Sequence, residues 1–421
     1  MYFYILLIRI AALFGHRKAR LMVDGQKETK KLVRQQLSAF KNAVWIHVSS
    51  VGEFEQARPL IEQLKARQEK TKIVLTFFSP SGYELRKHYD KADLVLYLPF
   101  ATRLNAKRFL EALQPKMAVF VKYEFWPAYL RELKKHNIPT YSISAIFRKS
   151  QLFFHWWGFW YLRLLRCFTH LFVQDEASLQ LLQSHGISRC SIAGDTRFDR
   201  VHDVMTQLAA SNGNLAAKLA PVGHFTQGCE RVIVAGSTWS KDEKLLAEYM
   251  SNHPDCKLIL VPHEIHAPRL HAIFNRLQGR FVRYSTFMEN GEWKVANEQS
   301  RHHILQQANV LVVDTIGLLS SIYRFGQVAY IGGGFGVGIH NTIEAAVYGV
   351  PVIFGPNYHH FREAKGLIEA GAARSIRNYT EIENALDTAL AQHEEIGAKA
   401  AAYVASETGA TEKIYKEIFK D

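Results

Sequence analysis

Cysteine is scarce in this chain of 421 residues: Cys167, Cys190, Cys229 and Cys256 stand far apart with no paired spacing. That scatter excludes a zinc ribbon and a disulfide framework and points to a reducing compartment. Also missing is an uninterrupted apolar run of about 20 residues, the length that spans a bilayer. The nearest approach is the opening stretch MYFYILLIRIAALFG, broken by Arg9 and followed by His16-Arg-Lys-Ala-Arg20. It has no charged region ahead of it and no small-residue cleavage site behind it, so it does not read as a cleaved signal peptide. We expect residues 1–20 to form a membrane anchor, with the basic residues on the cytoplasmic side; the plainer reading is a buried first helix. No short repeat is visible. The adjacent pairs His302-His303 and His359-His360 point apart and lack a completing carboxylate, so no metal site is expected. Acidic residues are outnumbered, 39 Asp and Glu against 52 Lys and Arg, and the net charge of +13 favours nucleic acid, anionic lipid or a phosphorylated substrate without choosing among them.

What is present is an ordinary globular composition, 48% hydrophobic and 22% charged, at a length suited to two domains. After a basic polar connector at 27–41, strands are expected at 43–48, 72–77, 94–98, 117–121, 140–144 and 170–174, with an amphipathic helix at 53–64 led by Glu53. A helical stretch at 202–219 runs into the Gly- and Pro-punctuated segment 220–228, where the interdomain linker is placed. A second series of strands follows at 231–235, 257–261, 310–313, 328–331 and 352–354, and a last helical stretch covers 399–420. Strands alternating with helices imply α/β domains built on doubly wound parallel sheets, over 40–205 and 229–400, with residues 401–421 beyond them.

Residues 328–356 read as strand, glycine-rich turn, helix and strand. Gly332, Gly333, Gly334, Gly336 and Gly338 remove side chains from the turn, so its backbone could approach a ligand closely. Asn341 is placed as the cap of a helix beginning at Thr342, whose unpaired N–H groups suit a phosphate. Glu344, three residues on, could bond a ribose hydroxyl, or could complete a capping box with Asn341 and need no ligand. Polar residues gather again at Phe354-Gly-Pro-Asn-Tyr-His-His-Phe-Arg-Glu363, at the end of the next strand. This arrangement resembles the donor-binding half of the GT-B glycosyltransferases.

Several separated segments resemble one GT-B family, the 3-deoxy-D-manno-oct-2-ulosonic acid (Kdo) transferases of lipid A assembly. They are His47-Val-Ser-Ser-Val-Gly-Glu53, Tyr97-Leu-Pro-Phe100, Val121-Lys-Tyr-Glu-Phe-Trp-Pro127, Gly194-Asp-Thr-Arg-Phe-Asp199, Ala235-Gly-Ser-Thr238, Val261-Pro-His263, Val313-Asp-Thr-Ile-Gly317 and His340-Asn-Thr-Ile-Glu344, in order along nearly the whole chain. The resemblance implies two Rossmann-like domains facing across a cleft, an N-terminal one for the acceptor and a C-terminal one for the donor, with the last helix crossing back onto the first. It also implies an inverting transfer from CMP-Kdo to a lipid A precursor at the cytoplasmic face of the bacterial inner membrane, without a cofactor.

A sugar transferred to an alcohol needs a base for the hydroxyl proton. The resemblance gives that role to Glu53; the structural alternative is an acid favourably placed at a helix N-terminus. It gives Glu124 and Arg197 the stabilisation of the transition state, with an arginine here where many relatives carry lysine, and an interdomain ion pair or a solvated turn as the alternative. For CMP, Pro262 and His263 match the family's nucleotide-binding segment, and Ser237 and Thr238, the turn Ile316, Gly317 and Leu318, and Asn341, Thr342, Ile343 and Glu344 could supply donors; the plainer reading of each taken alone is an ordinary helix entry. A donor with a carboxylate and one phosphate asks for N–H groups and cations and leaves no second phosphate for a metal to bridge. Residues 147–166 interleave aromatics with arginines, which suits an anionic membrane surface better than nucleic acid, or a core helix with charged edges. The rivals are a UDP-sugar GT-B transferase or epimerase, and a non-enzymatic basic membrane- or nucleic-acid-binding protein.

Overall fold

The structure, a computed structural model, describes residues 1–210, 214–277, 281–289, 292–295 and 297–419. The chain forms two compact units, one of residues 1–200 with 407–421 and the other of residues 201–406.

In the first unit, seven strands make one wholly parallel sheet: β1 Val44–Val48, β2 Ile73–Phe77, β3 Leu94–Tyr97, β4 Met117–Val121, β5 Thr140–Ala145, β6 His170–Val173 and β7 Cys190–Ile192. Helices cover both faces, so β1, β2 and β4 are buried at every position and read as near-continuous apolar runs. The order is β3-β2-β1-β4-β5-β6-β7. It reverses between β1 and β4, and at such a point the loops leaving the strands' C-terminal ends diverge and open a crevice.

One face of this sheet packs a layer that includes Trp45, Phe109, Phe120 and Tyr129; the other packs Ile46, Phe54, Phe77 and Tyr97 together with Ile414, Tyr415, Ile418 and Phe419. The helical stretch expected over 399–420 is two helices, His393–Glu407 and Ala410–Ile418, because Gly409 takes φ +95 and breaks it. Asp199 pins the break, accepting from Gly409 N at 2.6 Å and Thr411 N at 2.7 Å. Lys420 and Asp421 lie outside the described residues.

The connector expected at 27–41 is largely the end of a helix, Arg17–Gln35. Tertiary contact overrides its polar composition: Gln26 donates to Leu98 O at 2.7 Å, Thr29 Oγ1 accepts from Tyr97 N at 3.2 Å, and a Cβ at Gly25 would sit 2.1 Å from the Tyr97 ring. The preceding helix, Tyr2–Leu13, buries none of its residues. Phe3, Leu6, Leu13 and Phe14 are exposed, and among the described residues no helix is long and apolar enough to cross a membrane.

The second unit holds β8 Val232–Thr238, β9 Lys257–Pro262, β10 Phe281–Arg283, β13 Val310–Val312, β14 Val328–Ile331, β15 Val352–Phe354 and β16 Ala373–Ser375 in another parallel sheet, and β11 Met288–Glu289 with β12 Glu292–Trp293 in a small antiparallel hairpin. The large sheet runs β10-β13-β9-β8-β14-β15-β16, reversing between β8 and β14. The punctuated segment 220–228 departs from expectation, since Asn214–Thr226 is one helix with Pro221 inside it. An interior proline costs about 3 kcal/mol of helix propensity. Here burial of Leu219, Val222 and Phe225 offsets that cost.

Candidate functional site

In the first unit the loops after β1 and β4 carry the expected carboxylates. Ser50 caps the helix Val51–Arg67, and Glu53 at its third position accepts from Ser50 N at 3.0 Å and from the Ser50 hydroxyl, both at Oε2. The capping box is therefore formed, and Glu53 stays half-buried with Oε1 taking no donor among the described residues. Glu124, after β4, lies against β1 through His47: His47 Nε2 is 3.1 Å from Glu124 Oε2, and Trp126 Nε1 donates to the same oxygen at 2.7 Å. His47 is fully buried, its Nδ1 2.9 Å from Thr76 Oγ1.

Arg197 is not in a turn but is the second residue of the helix Thr196–Ala210. Its guanidinium meets Asp195 Oδ2 through Nε at 2.9 Å and Nη2 at 2.7 Å. Burial pushes the Asp195 carboxyl up, but the Arg197 charge and hydrogen bonds, with one from Gln56, outweigh it and hold Asp195 below its ordinary value. Gln56 Nε2 donates to Asp195 Oδ1 at 3.0 Å, and Thr196 Oγ1 donates to Gln56 O at 2.6 Å. All three expected residues thus attach to the β1 strand and its helix, Glu53 directly, Glu124 through His47 and Arg197 through Asp195 and Gln56.

In the second unit, the ends of β8, β9 and β14 converge. Gly332 passes so close to β8 that a Cβ would lie 2.3 Å from Ser237 O, and a Cβ at Gly334 would lie 2.6 Å from the Gly355 backbone. These glycines are required by chain crossing within the sheet end, whatever else the loop binds. Ser237 itself is left-handed, φ 53, at an irregularity of the β8–β9 ladder. His263 N donates to Thr238 O at 3.1 Å, its ring stacks on Trp239 at 4.8 Å and on His340 at 4.4 Å, and Trp239 Nε1 donates to His340 Nε2 at 3.2 Å. Burial, and then the neighbouring His263, push the His340 imidazole down to about 4, so the stack is held with His340 neutral.

Two buried acids brace this end. Asp242 accepts from Trp239 N, Gly333 N and the Tyr330 hydroxyl, and Glu243 accepts from Thr238, Arg269 and Arg276. Burial pushes both carboxyls up against the lowering effect of these partners.

The helix after the glycine loop is shorter than expected and starts later: Ile343–Ala346, with Thr342 as its N-cap. Gly349, at φ +68, turns the chain toward β15 after one turn, too few residues to build a substantial macrodipole. Asn341 Oδ1 accepts from Ile343 N at 3.2 Å and its Nδ2 donates to Glu344 Oε1 at 2.9 Å, so this pair is at least partly structural. Thr342 Oγ1 is buried without a partner among the described residues. Pro262 closes β9 beside His263. In the turn after β13, Ile316 is 84% exposed, Gly317 has φ +90 and Leu318 is buried; Asp314 anchors it to Arg283 at 2.7 Å and Ser285 at 2.7 Å.

The aromatic stretch 147–166 is divided. Phe147, Leu164 and Leu165 are core, while Trp156 is 90% exposed and Trp157, Phe159, Trp160 and Tyr161 are exposed around the short helix Phe159–Leu165. The alternation came from two environments, not from one amphipathic helix.

His47, Thr76, Asp195, Gln56, Trp239 and His340 were not singled out as site residues. The one signal for His47 was an imidazole inside an apolar strand; the others depend on partners distant in sequence.

Residues 16–200 match the family model described as 3-Deoxy-D-manno-octulosonic-acid transferase (kdotransferase). A 3-deoxy-D-manno-octulosonic acid transferase of Aquifex aeolicus is 27% identical over 372 residues, 86% of this chain and 90% of the relative. One from Rickettsia prowazekii is 25% identical over 393 residues, 90% of this chain and 78% of the relative. Among solved structures, the UDP-GlcNAc 2-epimerase of Neisseria meningitidis bound to UDP-GlcNAc superposes with TM-score 0.63 at 16% identity, covering 90% of this chain and 100% of that one. That likeness concerns the fold, a GT-B arrangement of two parallel-sheet α/β domains.

Proposed function

On the premise that this chain is a GT-B glycosyltransferase homologous with the Kdo transferases, we propose that it moves Kdo from CMP-Kdo to the distal glucosamine hydroxyl of a lipid A precursor, with inversion. The acceptor oxygen bonds to the anomeric carbon as the bond to the CMP phosphate oxygen breaks. Glu53 takes the hydroxyl proton and CMP leaves with the bonding pair. Glu124 and Arg197 stabilise the transition state. Ser237, Thr238, Pro262, His263, the turn Ile316, Gly317 and Leu318, and Asn341, Thr342, Ile343 and Glu344 hold CMP.

The observation that carries this reading is the division of chemistry between two sheet ends. Carboxylates gather at the strand-order reversal of the first unit, and close-packed glycines with a ring stack that includes the neutral His340 gather at that of the second. The test is incubation with CMP-Kdo and tetraacylated lipid A precursor, followed by mass spectrometry of the lipid. Gain of one or more Kdo masses supports it; a lipid left unchanged by an enzyme that binds CMP removes it. Binding of CMP measured against UDP separates the UDP-sugar rival.

The acceptor is a membrane lipid, so the site of action we propose is the cytoplasmic face of the bacterial inner membrane. The exposed apolar helix Tyr2–Leu13, the basic helix after it and the exposed tryptophans at 156–160 support contact with an anionic membrane surface. Liposome binding with and without residues 1–20 weighs that contribution, and equal binding would remove the anchor from the account.

A further inference from the structure

We propose that His47 is a positioning residue for Glu124, locked by Trp45 and Thr76 in the tautomer that carries its proton on Nε2. This rests on Glu124 acting in the transfer, as read above. The Trp45 indole can only donate, and it donates to Thr76 Oγ1 at 2.9 Å. The Thr76 hydroxyl hydrogen then has two acceptors, His47 Nδ1 at 2.9 Å and Ile46 O at 3.4 Å, and the shorter contact takes it. A ring nitrogen that accepts carries no hydrogen, so the proton of the neutral imidazole sits on Nε2, facing Glu124 Oε2 at 3.1 Å.

The competing tautomer would put the proton on Nδ1, toward Thr76 O at 3.1 Å, with Nε2 accepting from Trp126 Nε1 at 3.0 Å. It would set a bare nitrogen lone pair against the Glu124 carboxyl. It would also draw the single Trp126 hydrogen from its shorter contact, 2.7 Å to Glu124 Oε2. Hydrogen bonds to a charged acceptor are the stronger kind, so the Nε2–H form is favoured.

Its consequence lies at Glu124. Two N–H groups, from His47 and Trp126, converge on Oε2 and fix the carboxyl plane, leaving Oε1 with no donor among the described residues and the side chain 12% exposed. A buried histidine that served packing alone would have no bearing on which oxygen of Glu124 is available.

The full chain, labelled with 15N-histidine, should show His47 protonated at Nε2 by nitrogen NMR. Thr76→Val, close to isosteric, should shift the proton toward Nδ1 and lower kcat about tenfold with KM little changed, the scale of one hydrogen bond to a charged group. Thr76→Ser should restore both. Trp45→Phe should act in the same direction but less strongly. A wild-type Nδ1–H signal, or Thr76→Val with unchanged kcat while Glu124→Gln is inactive, overturns the role of His47 alone. Full activity in Glu124→Gln instead removes the reading of Glu124 on which it rests.

Discussion

The two units share one plan and differ in what they do with it. Each has a seven-stranded parallel sheet whose order reverses beside its first strand, β1 against β4 in one and β8 against β14 in the other. Each also holds non-glycine residues in left-handed backbone near its strand ends: Lys122 and Ser144 in the first, Ser237 in the second, with the β5–β6 and β8–β9 ladders irregular at the last two. Such residues cost about 1–3 kcal/mol each and persist only where the surroundings impose them. At those matched places the first unit sets carboxylates tied to indole, imidazole and hydroxyl groups, while the second sets glycines, stacked rings and buried acids. Topology therefore determines where a ligand can be held, and the residues at the strand ends determine whether the place handles a proton or an anion.

The sharpest way to break this division is Glu53→Ala. Transfer should fall by about 10²–10⁴, the range of a general base, while CMP affinity measured by calorimetry stays the same. An equal loss of CMP affinity would mean the labour is not divided.

Next come paired glycine substitutions. Gly332→Ala brings a Cβ against Ser237 O and the Thr238 backbone, and should cost about 1–3 kcal/mol in denaturant unfolding and abolish CMP binding. Gly52→Ala in the first unit meets nothing nearer than Ser50 Oγ at 3.6 Å and should be neutral.

Acid should separate the units by the pH at which each responds. His340 is lowered from 6.5 to about 4, so the unfolded chain takes up this proton first, and the stability it contributes is lost as pH falls from 6.5 toward 4. Asp195 is lowered from 3.8, so its contribution persists above that value and is lost only as pH falls further. The raised carboxyls Asp242 and Glu243 act in the opposite sense, their cost relieved on acidification. Urea midpoints across pH should therefore flatten between 6.5 and 4 in His340→Gln relative to the parent, whereas Asp195→Asn should lower the midpoint throughout the range above 3.8, with its difference from the parent narrowing only as pH falls below that value.

The smallest effect is expected for Trp239→Leu. Loss of its stack on His263, about 0.5–1.5 kcal/mol, together with its exposed hydrogen bond to His340, should weaken CMP by a few-fold to about tenfold without changing transfer chemistry at saturating donor.

The long strands were legible because a strand buried on both faces must be apolar where it is buried, as in Met117–Val121 and in Lys257–Pro262 after its first residue. Cys190–Ile192, Phe281–Arg283 and Ala373–Ser375 were missed, being three-residue strands at or near sheet edges, too short to show a period. Pro221 and the glycines near it misled in the other direction, since propensity was overruled by burial of Val222 and Phe225. At the site, Glu53 and its capping partner are three residues apart and visible as a pattern. The link from His47 to Glu124 spans 77 residues and exists only because β1 and β4 are neighbours. The glycine run drew attention as a ligand loop, yet Gly332 and Gly334 are explained first by the backbones they cross.

The helix Ala410–Ile418, with Phe419 just after it, completes a core whose other buried members all precede residue 200. During synthesis the nascent first unit must therefore wait for about 200 more residues, roughly 10–40 s at ribosomal speed, with Phe54, Ile61 and their neighbours lacking one wall. A ribosome stalled inside the second unit would leave that greasy flank open to chaperones and proteases until Ala410–Ile418 is made.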